Sequence, residues 1–485
     1  MYMDTPKKNQ GFLKNLFKVF TRKNKKKTLP SAVAETPKSA SATYEPATAS
    51  TNVLSVIPEA DSPKTKTVRT LANKWLTTTR KYNTQKSKKY QSICPDSGVC
   101  IALGIFADEI KIFFNGFTSF DYVDDAYVIE NGKNSFITEI KYVKYGYKAY
   151  AVLKSTFETD NFGRRIMPDN LLYEYLVGEF INKQNKIFPC FLETYGLFKR
   201  DDRKQNLKLL EKVQKYDFKT ACESYHNLSL LIQHLNNVET LDHKMMNDTT
   251  FIETELLYIL FQIYIPLDKM KENFTHYDLH PSNVLVYEPK KGKYIEYVYY
   301  FENNVTVRFK SRFIAKIIDY GRCFFKDTFY SSNAIRIKVN QICGKIYGYD
   351  RGFSFFYMPE NKEDADAYLL KYSWLTPQKK NISHDLMLLN HIIKNKKIIH
   401  PLFLPDESDL IYTQYMGTPE NRSEFTKNNK INNVTDAANH FIHEVQKPEA
   451  KEKNDKFFAD KTMLGELHIF MDKPMKYIPA QESEA

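Results

Sequence analysis

The chain has 485 residues, of which 42% are hydrophobic and 14% aromatic, enough apolar material for one large domain or two with tails, and too much for a wholly disordered chain. The formal net charge of +12 resides in residues 1–90, which hold 19 Lys and Arg against 5 Asp and Glu; the other residues hold 51 basic and 53 acidic groups. A basic groove for sequence-specific nucleic-acid binding is therefore not expected in the body of the protein.

Six cysteines (Cys94, Cys100, Cys190, Cys222, Cys323 and Cys343) form no C-x-x-C pair and follow no secretory signal, and neither they nor the histidines show zinc-ligand spacing. An intracellular, reducing compartment is expected. No run of about 18 apolar residues occurs, which argues against a membrane span.

In chain order, the first expected element is GFLKNLFKVFTRKNKKK, residues 11–27. Leu13, Leu16, Phe17 and Phe20 recur there at helical spacing among lysines, a basic amphipathic segment suited to an acidic membrane, a polyanion or a localisation receptor. Residues 28–66, rich in Ser, Thr, Ala and Pro, read as a linker with sites for phosphorylation, so residues 1–90 are expected to be largely disordered. Residues 121–155 alternate polar and apolar side chains and break at Asn131-Gly132 and Tyr145-Gly146, which predicts three consecutive antiparallel strands. Pro168-Asp169-Asn170 opens a helix expected to reach about Asn182.

Strands are predicted near Phe191–Lys199 and Leu228–His234, then a long helix from about Thr254 to Glu272, with a kink or an early end at Pro266. After a polar loop and the short strand Val284-Leu285-Val286, alternation over Tyr294–Tyr300 and Val305–Phe309 predicts a hairpin within 290–312, in which the tyrosines pack rather than stack on bases. A helix over 383–395, another near Thr435–Gln446 and a strand near Leu464–Met471 complete the reading. There is no internal repeat.

The chemistry concentrates in two loops. Asp278 and Asn283 stand five residues apart between the long helix and the strand, so one tight loop can present both. Such a pair suits phosphoryl transfer, the carboxylate orienting an attacking hydroxyl and the amide oxygen holding a divalent cation. The apolar stretch Ala315-Lys316-Ile317-Ile318 ends in Asp319-Tyr320-Gly321-Arg322, which places a second carboxylate at a strand terminus. Asn283 and Asp319 together supply a candidate metal site.

These residues resemble the protein-kinase-like superfamily. His276-Tyr277-Asp278-Leu279-His280-Pro281-Ser282-Asn283 is similar to its catalytic loop, His-x-Asp-Leu-x-x-x-Asn, and Ile318-Asp319-Tyr320-Gly321 to its Asp-Phe-Gly element. Ala151-Val152-Leu153-Lys154 looks like the strand motif that carries the phosphate-binding lysine. Glu174, twenty residues on, stands where the family has the glutamate that pairs with it; Glu179 is the rival for that role. Gly132-Lys133-Asn134-Ser135-Phe136-Ile137 resembles the glycine-rich turn, with Asn134 and Ile137 in place of two glycines, which leaves its backbone less freedom to clamp phosphate.

The resemblance implies an α+β, two-lobed fold, with an antiparallel sheet in an N-lobe (91–235) and a mostly helical C-lobe (236–400), extended by 401–485. It implies ATP and Mg²⁺ or Mn²⁺ as cofactors. Gly132, Ser135, Phe136, Val152 and Lys154 would bind nucleotide, Glu174 would position Lys154, Asn283 and Asp319 would hold metal, and Asp278 would orient the acceptor. Asp385 would brace the catalytic loop, and His276 the loop backbone.

Departures are visible too. His280 stands where protein kinases usually have Lys, Asp278-Leu279-His280-Pro281 is also similar to choline and aminoglycoside phosphotransferases, and no Ala-Pro-Glu follows Asp319. The implied activity is phosphorylation of Ser or Thr of a protein substrate. The alternatives are a small-molecule kinase and a pseudokinase scaffold. The details look most like divergent kinase-like proteins of giant nucleocytoplasmic DNA viruses, which would place the chain in host cytoplasm or in a virion.

Overall fold

The computed structural model describes residues 91–92, 112–117, 122–131, 135–145, 147–156, 171–199, 214–215, 228–236, 238–328, 331–332, 334, 380–395, 397–398, 401–410 and 431–480. The expected segment 11–27, the linker, Gly132 and the helix-opening Pro168-Asp169-Asn170 lie outside them.

The described chain is α+β, with antiparallel sheets and several helices. After the two-residue β1 (Gln91–Ser92), the three strands expected from alternation are β2 (Val123–Asn131), β3 (Ser135–Lys144) and β4 (Tyr147–Thr156). Helix α1 (Leu171–Gln184) follows, then β5 (Thr194–Lys199), β6 (Gln214–Lys215) and β7 (Leu228–Gln233). The strands form one sheet in the order β2-β3-β4-β7-β5-β6, antiparallel throughout, with β1 added parallel to β4.

Side-chain alternation gives this sheet two unlike faces. Phe136, Thr138, Ile140 and Tyr142 of β3 and Ala149, Ala151, Leu153 and Ser155 of β4 are buried. Phe114 and Phe117 pack on that face around Tyr142, whose hydroxyl donates to the Phe117 carbonyl at 2.7 Å. The other face, with Ile137, Glu139, Val152 and Lys154, is partly exposed.

Helix α1 presents Leu176, Val177, Phe180 and Ile181 to the core and leaves Glu179 exposed. It approaches β5 closely because Gly178 has no side chain: a Cβ there would lie 2.2 Å from Thr194 Oγ1. Asn182 fixes the contact by bonding both the N–H (2.9 Å) and the carbonyl (2.6 Å) of Thr194.

The next elements are β8 (Val238–Thr240), α2 (Leu241–Asn247), α3 (Thr249–Thr254), α4 (Leu256–Met270) and β9 (Phe274–Thr275). Helix α4 is buried around almost its whole circumference, as a core helix must be to be apolar on all sides. It runs through Pro266 to Met270, so the expected early end does not occur. Gln262, fully buried, donates to the Phe313 carbonyl (3.1 Å) and accepts from Ala315 N–H (2.9 Å).

Then come β10 (Val284–Tyr287), the hairpin β11 (Tyr294–Tyr300) and β12 (Thr306–Ser311), β13 (Ile314–Ile317) and β14 (Phe324–Phe325). Helices α5 (Met387–Ile393), α6 (Val434–Gln446) and α7 (Pro448–Phe458) and strands β15 (Met463–Phe470) and β16 (Lys476–Pro479) end the described chain. The hairpin is not a lone insertion. β15 pairs parallel to β11, giving a four-stranded sheet β12-β11-β15-β16, with Tyr297 and Tyr299 fully buried. Among the described residues no helix is long and apolar enough to cross a membrane.

Candidate active site

Two strand pairs bring the sequence-distant loops face to face. The loop 276–283 lies between β9 and β10, and the loop 318–323 lies between β13 and β14. β10 pairs with β13 (Val284 opposite Ile317), and β9 pairs with β14 (Thr275 opposite Phe324). Each loop is thus pinned at both ends to the other. Just beyond the β10–β13 pair, Ile318 N–H donates to the Asn283 carbonyl at 3.1 Å.

His276 adds a side-chain bridge. It is fully buried, and its Nε2 lies 2.9 Å from the Ile318 carbonyl, an acceptor only, so Nε2 carries the proton. Nδ1 is left to accept from Asp278 N–H at 3.3 Å. Burial lowers the pKa of this imidazole against the pull of Asp278, which favours the neutral tautomer the bonding requires.

Asp385, at the start of the short turn before α5, accepts from His276 N–H (2.8 Å) and Tyr277 N–H (3.1 Å). Its carboxyl is pushed up to about 7 by burial, with those two amides pulling the other way. Tyr277 has φ of 62° and Asp319 has φ of 67°, left-handed values that non-glycine residues rarely adopt.

Lys154, on the partly exposed face of β4, places Nζ 2.9 Å from Glu174 Oε2 on α1 and 3.4 Å from Asp319 Oδ1. Glu174 is 5% exposed at its side chain and Lys154 12%, so the pair is largely withdrawn from solvent, whereas Glu179 is not. Burial raises the Asp319 carboxyl, but Lys154, then Arg322, outweigh it and hold the group below its usual range.

Asn283 donates its amide N–H to the Asp278 carbonyl at 2.9 Å, which leaves its side-chain oxygen for another partner. Asp278 Oδ1 is met by Arg322 Nη1 at 3.1 Å. His280 is a capping group: its Nδ1 accepts from Ser282 N–H at 3.3 Å. Tyr320 locks the far side of the Asp319 loop, accepting from Leu192 N–H (2.8 Å) and donating to the Ile317 carbonyl (2.7 Å).

The structure therefore brings together Lys154, Glu174, Asp278, Asn283 and Asp319. Val152 shares the face of Lys154, opposite Glu139 and Ile232. Ser135 opens β3 opposite Thr156, and Gly132 is outside the described residues. Phe136 is placed differently from the expectation that it meets nucleotide. It pairs with Ser155 and is buried on the face opposite Lys154, because strand alternation sends neighbours to opposite sides. Arg322 was given no role by its sequence position, and its only signal there is a basic residue directly after Asp319-Tyr320-Gly321.

Among the described residues no three His, Cys, Asp or Glu side chains converge. The Asp319 carboxylate and the Asn283 amide oxygen are hard oxygen donors, however, and few protein ligands plus phosphate oxygens is how Mg²⁺ is commonly held. The residues present fit that ion. Comparison with protein-family models and with curated proteins yields no match to this chain.

Proposed function

We propose that the chain is an ATP-dependent phosphotransferase with the two-lobed fold of the protein-kinase-like superfamily, and that its acceptor is a Ser or Thr hydroxyl of a protein. The observation that supports this most is the contact of Lys154 with both Glu174 and Asp319. A strand lysine, a helical glutamate and a loop aspartate, separated by 20 and 165 residues, meet within 3.4 Å. A solvated surface lysine has no need of two carboxylates drawn from different elements.

In this reading Lys154 holds the α- and β-phosphates, kept in place by Glu174. Mg²⁺ held by Asp319 and Asn283 would neutralise phosphate charge when bound. Asp278 orients the acceptor hydroxyl. The acceptor oxygen bonds to the γ phosphorus, the bond to the β,γ-bridging oxygen breaks with its electron pair leaving on ADP, and the hydroxyl proton passes to the Asp278 carboxylate. His276 and Asp385 act only by fixing the loop.

The test is transfer of label from γ-labelled ATP with Mg²⁺ or Mn²⁺ to protein acceptors, including the chain itself. Wild type incorporates label, while Asp278→Ala and Asp319→Asn each fall by roughly 10² to 10⁴. Label that appears only on a small hydroxyl compound moves the acceptor to the small-molecule class. Normal transfer by Asp278→Ala removes the mechanism.

A further inference from the structure

Arg322 takes no part in the reaction as described above, yet it stands on the acceptor side of the site. Its Nη1 is 3.1 Å from Asp278 Oδ1, and it stands three residues after Asp319 in the same loop. The guanidinium therefore reaches the carboxylate that would orient the acceptor beside a γ-phosphoryl group. A phosphoryl group in transfer spreads negative charge over three equatorial oxygens, and cations placed there accelerate the reaction.

Among the described residues, two other basic side chains stand close to that position. Lys154 is drawn back by Glu174 at 2.9 Å. His280, two residues after Asp278, has its Nδ1 occupied by Ser282 N–H, and burial lowers its pKa. Among the described residues the ion pairs to Asp278 and Asp319 come from Arg322 and Lys154.

Resting on the phosphotransferase reading, we propose that Arg322 is a catalytic residue that contacts the transferring phosphoryl group. Its planar fork keeps one donor on Asp278 and directs others to the equatorial oxygens while the acceptor O–P bond forms and the bond to ADP breaks. A guanidinium can serve two acceptors at once in fixed geometry, which a single ammonium does less well. The loop after Asp319 thus supplies the cation that the catalytic loop, with His280, does not.

The test is steady-state kinetics of full-length Arg322→Ala, Arg322→Gln and Arg322→Lys with γ-labelled ATP. Arg322→Ala and Arg322→Gln should lose roughly 10³-fold in kcat, with the KM for ATP and the melting temperature little changed. Arg322→Lys should keep an intermediate rate, and added guanidinium ion should restore part of the Arg322→Ala activity. Retained kcat with a raised KM for ATP or acceptor would make Arg322 a ground-state binding residue and overturn the proposal. If Arg322→Ala does not fold, the comparison of Arg322→Gln with Arg322→Lys decides. A wild type that transfers no phosphoryl group sinks the phosphotransferase reading itself, and this proposal with it; an active wild type with fully active Arg322 variants sinks this proposal alone.

Discussion

Gly178→Ala is the substitution by which the packing of α1 can be read out in the chemistry. The added methyl would lie 2.2 Å from Thr194 Oγ1 and 2.6 Å from Thr194 Cβ. Carbon atoms prefer about 3.5–4.0 Å, so helix and strand must part by roughly 1 Å. Thr194 cannot rotate away, because its own Cβ is in the clash and Asn182 clamps its backbone on both sides. The movement falls on α1, and Glu174 sits one turn earlier on it.

The Lys154–Glu174 contact at 2.9 Å tolerates only a few tenths of an ångström before it ceases to be a hydrogen bond. Overpacking costs about 1–3 kcal/mol, and replacing a helical Gly with Ala returns about 1, so global stability should fall by roughly 0–2 kcal/mol. On the proposed phosphotransferase function, activity should fall much further, about 100-fold, because misplacement of about 1 Å at a catalytic constellation has that effect. The assay is kcat for phosphoryl transfer beside a denaturant melt, for Gly178→Ala, Thr194→Gly and the double variant. Thr194→Gly removes the clashing atoms, so the double variant should recover much of the lost kcat. A Gly178→Ala protein with kcat within about threefold of wild type would refute the coupling of this helix contact to the site.

Three further outcomes follow from the same contacts. Lys154→Met removes the cation that the buried Glu174 carboxylate faces and should destabilise the fold by about 3–5 kcal/mol; the double variant Lys154→Met/Glu174→Gln should regain most of that in a denaturant melt, and additive losses would speak against a coupled pair. Lys316 is fully buried, donates to the Phe191 carbonyl at 3.0 Å, and is lowered to about 8 by burial. The unfolded chain binds more protons than the folded one between pH 8 and the ordinary lysine value of 10.5, so stability relative to Lys316→Met should rise with pH by about 1.4 kcal/mol per unit across that window; a flat difference from pH 8 to 9.5 would contradict it. Phe441→Ala, emptying a fully buried site on α6, should cost about 3–5 kcal/mol by denaturant melt, and a loss under about 1 would mean that α6 is not anchored there.

How much of this was legible in the sequence differs by the kind of information each feature carries. The three strands over 123–156 and the pair Asp278 and Asn283 were readable because alternation and loop spacing are local. Lys154 and Glu174 were readable because the motif resemblance sets a helical glutamate about twenty residues after the strand lysine. The burial of Phe136 away from Lys154 was not, since it depends on the register of the β3–β4 hairpin, which a turn at Tyr145-Gly146 leaves open by one residue. The parallel pairing of Tyr297 with Leu467 joins segments 170 residues apart and has no local signal. Helix α7 is rich in charge, so its apolar face, essentially Phe458, was too narrow to register against the strands it covers.

The role proposed for Arg322 was hidden for a deeper reason, because it depends on how the two loops are held. Tyr277 and Asp319 both adopt left-handed backbone conformations, each costing about 1–3 kcal/mol for a residue with a side chain. Neither loop would keep its shape alone. Asp385 holds one by accepting the N–H groups of His276 and Tyr277 that lead into the Tyr277 strain, and His276 passes the constraint to the other through Ile318. Asp385 is itself seated by Tyr264 of α4, whose hydroxyl donates to its carbonyl at 3.0 Å and whose ring stacks on Phe441 of α6. Helix α6 of the C-terminal region presses on the helix that seats the aspartate that shapes the loop. The distance from Arg322 to Asp278 is therefore set in part by residues more than a hundred positions beyond both, and no motif within either loop can specify it.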